Sequence, residues 1–104
     1  MAAKILVLYN HPTDPEAFDS YYGETHTPIA KMIPNMRSFV VSTGPIVTPD
    51  GSRSPYHQIA ELTFDSMEDL QASMASSAGR TTAGDLRNFA GAGVSLVVYE
   101  TREA

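Results

Sequence analysis

The chain contains no cysteine, which removes disulfides, thiolate metal sites, iron–sulfur clusters and cysteine nucleophiles together. Basic residues are sparse: 7 Lys and Arg stand against 12 Asp and Glu, for a net charge of −5. They fall singly, at Lys4, Lys31, Arg37, Arg53, Arg80, Arg87 and Arg102. No basic stripe results, so nucleic acid is not an expected partner. Long apolar runs are missing too, which makes a membrane an unexpected partner and the cytoplasm the default location. Phosphate-cradling glycine motifs are absent; Gly91-Ala92-Gly93 precedes a strand-like stretch instead of following one and reads as a turn. The histidines, His11, His26 and His57, lack the helical spacing of a metal-binding pair, so neither a metal nor a cofactor is expected.

What remains is an ordinary globular composition, 42% hydrophobic and 18% charged over 104 residues, suited to one domain spanning residues 1–104. Lys4 to Asn10, KILVLYN, reads as a strand apolar on both faces, the signature of a central strand covered from two sides. Asp14 before Pro15 supplies a cap and a first-turn proline for a helix. Its apolar stripe at regular helical period would be Phe18, Tyr22, Thr25, Ile29 and Ile33, with His26 at the edge. Pro28 predicts a kink or restart. A second, edge-type strand is expected within Met36 to Val47, followed by an exposed hairpin loop over Thr48 to Pro55.

Tyr56 to Phe64 alternates, with Tyr56, Gln58, Ala60, Leu62 and Phe64 on one side and His57, Ile59, Glu61 and Thr63 on the other. Asp65-Ser66-Met67-Glu68 caps a second helix reaching about Ser77. Gly79 to Ala83 reads as a loop, Gly84 to Phe89 as a short helical turn, and Val94 to Thr101 as a last strand, again apolar on both faces. The order β-α-β-β-α-β is that of a ferredoxin-like α+β fold with an antiparallel four-stranded sheet. Helices would cover one face of that sheet. The second apolar face of the first and last strands calls for another sheet from a second copy, hence a homodimer.

Among titratable groups His26 stands first, since a neutral imidazole serves as acid or base near pH 7. A histidine at the border of an apolar helical face is equally at home as a packing residue. Tyr22, one turn earlier, can share a pocket with it. His57 opens the third strand and could pair with His26 across a cavity, aided by Glu61 two positions along. Alternation does not fix whether that set faces the helices or the other subunit.

Three segments together resemble the EthD family: DPEAFDSYYGETHTPIAKMIPNM, with its aromatic pair and its His and Pro two apart; YHQIAELTFDSMEDL; and AGDLRNFAGAG, where Asp85, Asn88, Phe89 and Ala90 fit the family's pattern. The resemblance implies a dimeric α+β barrel. It also brings an association with ethyl tert-butyl ether degradation and a reductase or oxidoreductase label, for which the residues offer no redox cofactor site. Related barrels include cofactor-free monooxygenases, lactone isomerases and polyketide cyclases, so fold underdetermines function. The expectation is a small, largely apolar organic ligand in a pocket between helices and sheet, lined by Phe18, Ile29, Glu61 and Phe89. His26, Tyr22 and His57 are the candidates for proton transfer or cofactor-free oxidoreductase-type chemistry. A noncatalytic accessory protein to a degradative oxidase system is the alternative.

Overall fold

In the computed structural model, which describes residues 1–104, strands β1 (Ala2–Asn10), β2 (Ser38–Val41), β3 (Tyr56–Phe64) and β4 (Val94–Thr101) form one antiparallel sheet ordered β2-β3-β1-β4. The expected ferredoxin-like α+β fold is what the chain adopts. β1 is an inner strand, as its double apolarity requires. Ile5 lies opposite Leu62 and Val98, and Val7 opposite Ala60 and Leu96, so odd positions of β1 and even positions of β3 share the face beneath the helices. Ala3, Ile5, Val7, Tyr9, Ala60, Leu62 and Phe64 are buried there. Each large side chain among them contributes about 1.5–3 kcal/mol by leaving water.

β4 is apolar on both faces, as expected, and within the single chain its outer face is uncovered. It is an edge, and Leu96, Val97, Val98 and Tyr99 remain 37–50% exposed: Val97 and Tyr99 lie on the outer face, which no helix covers, and Leu96 and Val98 lie on the helix side at the margin of the sheet, where nothing in the chain pairs beyond them. The molecule is accordingly a two-layer slab, 35 × 34 × 18 Å.

The first helix starts where the sequence places it. Asp14 caps it by accepting from the Ala17 amide at 3.1 Å, and Pro15 occupies the first turn. It then runs without a break through α1 (Pro15–Tyr21), a π turn (Tyr22–His26) and α2 (Thr27–Ala30). The expected kink at Pro28 is replaced by this widened turn. A proline ring would crowd the carbonyl four residues back in a regular helix; here the Thr27 N–H bonds Tyr22 O, five residues back, and the Thr27 hydroxyl donates to the same carbonyl at 2.8 Å.

One inserted residue changes the phase of the helix. The buried stripe becomes Phe18, Tyr22, His26, Ala30 and then Ile33, while Thr25 is exposed and Ile29 only half-buried. A regular period would have put Thr25 and Ile29 inward and left His26 at the border.

β2 is shorter than the expected strand. The Ser42 hydroxyl takes the Ile59 amide and Gly44 turns the chain away at φ +74°, leaving the hairpin around residues 48–52 joined by the Val47–Arg53 bridge. After β3, Ser66 caps α3 (Met67–Ala75). The stretch expected as a loop is instead α4 (Ser77–Asp85), followed by a 3-10 turn (Leu86–Asn88). Ser76 is extended and its hydroxyl accepts from the Gly79 amide at 3.1 Å, a cap that starts a helix in a sequence of modest helix propensity. Gly79 also permits close approach of the two helices: a Cβ there would lie 2.6 Å from the Met74 carbonyl oxygen and 2.7 Å from its Cα.

Candidate functional site

The π turn places His26 at the centre of the helix–sheet interface, 3% exposed. Its ring packs against Phe89 at a centroid distance of 4.6 Å and Tyr22 at 5.2 Å. Nδ1 lies 2.9 Å from Oδ2 of Asp85, at the end of α4. An ionised carboxylate only accepts, so Nδ1 carries the proton and donates. Asp85 is itself held from two other directions: the Tyr21 hydroxyl donates to Oδ1 at 2.6 Å and the Asn88 amide at 2.9 Å. Burial pushes its carboxyl pKa upward, but the three donors Tyr21, Asn88 and His26 outweigh it and hold the pKa below the usual value.

This arrangement leaves Nε2 with a lone pair and no hydrogen-bond partner within the chain. His26 borders a cavity of about 40 Å³ that crosses the sheet beneath the helices, walled by Ile5, Val7, Leu62, Phe39, Met74 and Leu96 among others. Thr82, also on the wall, donates its hydroxyl to the Ala78 carbonyl. Tyr9 and Tyr22 line it as well. Burial raises both phenols, Tyr22 to about 12 and Tyr9 further, with the Tyr22 phenol adding to the rise at Tyr9. Both are therefore neutral donors near pH 7. The chemistry available is that of an oriented imidazole base in a mostly apolar pocket.

His57 goes elsewhere. Register shifts between Tyr9 and Asn10: Tyr9 pairs with Gln58 and Asn10 with Tyr56, so His57 sits on a bulge and leaves the alternation of its strand. Its ring turns to the helix side, 5.1 Å edge-on to Phe18, and Nε2 donates to Asp19 of α1 at 2.8 Å. It lines a separate, open groove of about 650 Å³ together with His11, Asp19, Tyr22, Arg53 and Gln58. The expected pairing of His26 and His57 across one cavity is thus not formed; Tyr22 stands between the two spaces, lining both.

Glu61 keeps its strand's alternation and lies on the outer sheet face, 3.7 Å from Lys4, so it does not assist His57. Ile29 is turned off the cavity by the π phase. Phe18 and Phe89 join an aromatic cluster with Tyr9 and Tyr22, Phe18 to Phe89 being 5.3 Å between centroids. Both also edge a further groove of about 550 Å³ with Tyr21, Asn88 and Arg87. No group of three His, Cys, Asp or Glu could hold a metal ion, and no helix is long and apolar enough to cross a membrane.

Sequence reasoning attached no role to Asp85, Tyr21, Asn88 or Asp19. The available signal was a single carboxylate, Asp85, in an otherwise small and uncharged stretch (TTAGD), with Asn88 and Phe89 three and four residues on.

Comparison with known proteins agrees with this architecture. An uncharacterized 11.0 kDa protein of the thcB–thcC intergenic region of Rhodococcus erythropolis is 34% identical over 94 residues, covering 90% of this chain and 89% of that protein. The crystal structure of an EthD family protein from Bacillus halodurans is 34% identical, covers 98% of this chain and 100% of that one, and superposes with a TM-score of 0.87. At the level of fold alone, SnoaB, a cofactor-independent oxygenase from Streptomyces nogalater, is 13% identical with TM-score 0.63, covering 99% and 94% of the two chains. A dimeric protein of ferredoxin-like fold from Bacteroides fragilis is 16% identical with TM-score 0.64, covering 96% of each. The EthD domain model matches residues 10–93, and the chain belongs to the EthD family.

Proposed function

We propose that the protein acts on a small, largely apolar organic molecule by proton transfer, with His26 Nε2 as the base and Asp85 holding the imidazole in the required tautomer. The observation that carries this reading is the buried Nδ1–H to Asp85 bond, 2.9 Å, behind a ring that borders an apolar cavity. Such a pair is costly to bury for packing alone, since desolvating a carboxylate costs several kcal/mol (roughly, before pairing). Tyr22 orients the ligand from the cavity wall, and Phe89 fixes the imidazole plane. Met74 and the exposed edge residue Leu96 are the flexible parts of the wall through which a ligand larger than the cavity gains room.

Deprotonating a carbon acid there yields an electron-rich carbanion or enolate. From it, either isomerisation or direct reaction with dioxygen follows without a redox cofactor. The fold shared with a cofactor-independent oxygenase is compatible with the second course. We further propose that the chain works as a homodimer, joined through the outer sheet face that presents Leu6, Leu8, Ile59, Val97 and Tyr99.

The test uses 5-nitrobenzisoxazole, an apolar probe whose ring opens on loss of one proton and releases a coloured phenolate. Wild-type protein is expected to open it with saturation, and His26→Ala to lose about 10²–10⁴-fold in kcat/KM with an unchanged circular dichroism spectrum. Equal rates for wild type and His26→Ala would overturn the catalytic assignment. Saturable binding of the probe with no turnover would instead favour a noncatalytic carrier, the reading suggested by the almost wholly hydrocarbon wall.

A further inference from the structure

The open groove around His57 shares only Tyr22 with the His26 cavity, and its chemistry is different. Its polar side chains include Arg53, Gln58, two histidines and one carboxylate, Asp19. His57 Nε2–H is committed to Asp19, at 2.8 Å, and His11 Nε2–H to the Ser54 carbonyl at 2.8 Å, which ties the 42–57 segment to the end of β1. Arg53 forms no ion pair; the four in the chain join Lys4 to Glu61, His26 to Asp85, Arg37 to Asp65 and His57 to Asp19. The acid closest to it in sequence, Asp50, is occupied by its own turn, bound by the Thr48 hydroxyl and the Ser52 amide.

A second and independent feature points the same way. Gln58 Nε2, also on the groove, is a buried donor that makes no hydrogen bond of normal geometry in the chain, its polar neighbour being the Tyr22 phenol, whose pKa it lowers. An unsatisfied buried donor of this kind costs about 1–3 kcal/mol, and an acceptor arriving from the groove would remove that cost. One free guanidinium and one orphaned amide donor, with the only carboxylate already bound to His57, describe a site that lacks an anion with two or more acceptor oxygens.

We propose that this groove binds a small organic carboxylate, its oxygens taken by the Arg53 fork and by Gln58, and its body lying along Tyr22 and Tyr56. The planar, forked guanidinium matches a carboxylate in a two-bond geometry that a lone ammonium lacks. The groove volume, about 650 Å³, suits a molecule of one or two rings. This site is separate from the proton-transfer reading and stands or falls without it.

Benzoate is the probe, titrated into isotopically labelled full-length protein at constant ionic strength and followed by NMR at the His57 and His11 rings and the Gln58 side-chain amide. Saturable shifts at these three positions are expected. Arg53→Gln and Gln58→Met should each weaken the apparent affinity about tenfold, the loss of a charge-assisted or buried hydrogen bond. Arg80→Gln, which removes an equal charge from the exposed face of α4, should leave it unchanged. The proposal is overturned by shifts that do not saturate, by equal weakening in Arg53→Gln and Arg80→Gln, or by inorganic phosphate competing as well as benzoate.

Discussion

Asp85 Oδ2 and His26 Nδ1 are 2.9 Å apart although 59 positions separate them in the chain. That contact decides which nitrogen of the imidazole carries the proton and which keeps its lone pair. It also joins the first helix to the end of α4, so the site's geometry and the packing of the helix layer rest on the same two side chains.

Replacing Asp85 by Asn tests the tautomer directly. The Asn amide can donate to Nδ1, which would move the ring proton to Nε2 and remove the base from the cavity. Nitrogen-15 shifts of the His26 ring should report the inversion, and the ring-opening rate should fall about 10²-fold or more. Stability should fall by about 1–3 kcal/mol, as a charge-assisted network becomes partly unsatisfied, read as a lower urea midpoint.

Acid should erase that difference. The folded-state pKa of Asp85 is depressed: burial raises it, but the bonds from Tyr21, Asn88 and His26 lower it further. A depressed carboxyl contributes stability in full above its unfolded pKa of about 3.9, and the contribution disappears as pH falls through the folded value. Wild type should therefore exceed Asp85→Asn in urea midpoint at pH 6 (approximately neutral conditions), with the gap closing below about pH 4. Surface carboxyls such as Asp65 are common to both proteins and cancel in the comparison. A gap that stays constant with pH would mean that the Asp85 charge contributes nothing.

Much of the fold was legible because its signals are local. The Asp14-Pro15 cap, the alternation of β3 and the double apolarity of β1 each follow from a few adjacent residues. The misreadings arose where one residue alters the count. The π turn inserts a residue into the helical phase, exchanging His26 and Ala30 for Thr25 and Ile29 on the buried face. The bulge does the same in β3, bringing His57 toward Asp19 and leaving Glu61 with Lys4. Ser76 and Gly79 make a helix of a glycine- and threonine-rich stretch through a cap and a close contact that no propensity contains. Asp85 was visible as part of a family pattern, but its partnership with His26 is long-range, and spacing in the sequence carries no distance across 59 residues.

Gly79→Ala should be disproportionately harmful for so small a change. The added methyl would meet the Met74 carbonyl oxygen at 2.6 Å and its Cα at 2.7 Å, both backbone atoms that cannot rotate aside. Separating α3 from α4 enough to admit it costs about 1–3 kcal/mol, against a gain of up to about 1 kcal/mol in helix propensity. A net fall in thermal midpoint is expected. An equal or higher midpoint would show that the helix pair yields freely, and would remove the packing argument for α4.

The outer sheet face yields the last prediction. β1 presents Leu6 and Leu8 there, β3 presents Ile59, and β4 presents Val97 and Tyr99, which are 47% and 37% exposed. Cross-strand pairs Leu6–Val97 and Leu8–Ile59 make these side chains contiguous, and a contiguous apolar face of this kind on one side of a sheet is normally covered. Lys4 and Glu61 interrupt it as a neutralised pair, so a second copy would meet no unbalanced charge. Val97→Lys adds an ammonium on the edge-strand side of the patch, beside Leu6, without touching the helix-side core, since its side chain points away from Ile5 and Val7. Light scattering after size exclusion should give twice the 11.2 kDa chain mass for wild type and a single chain for Val97→Lys, with the circular dichroism spectrum preserved. A wild type that runs as a monomer at micromolar concentration would remove the homodimer, and a Val97→Lys protein that still pairs would move the interface to another face.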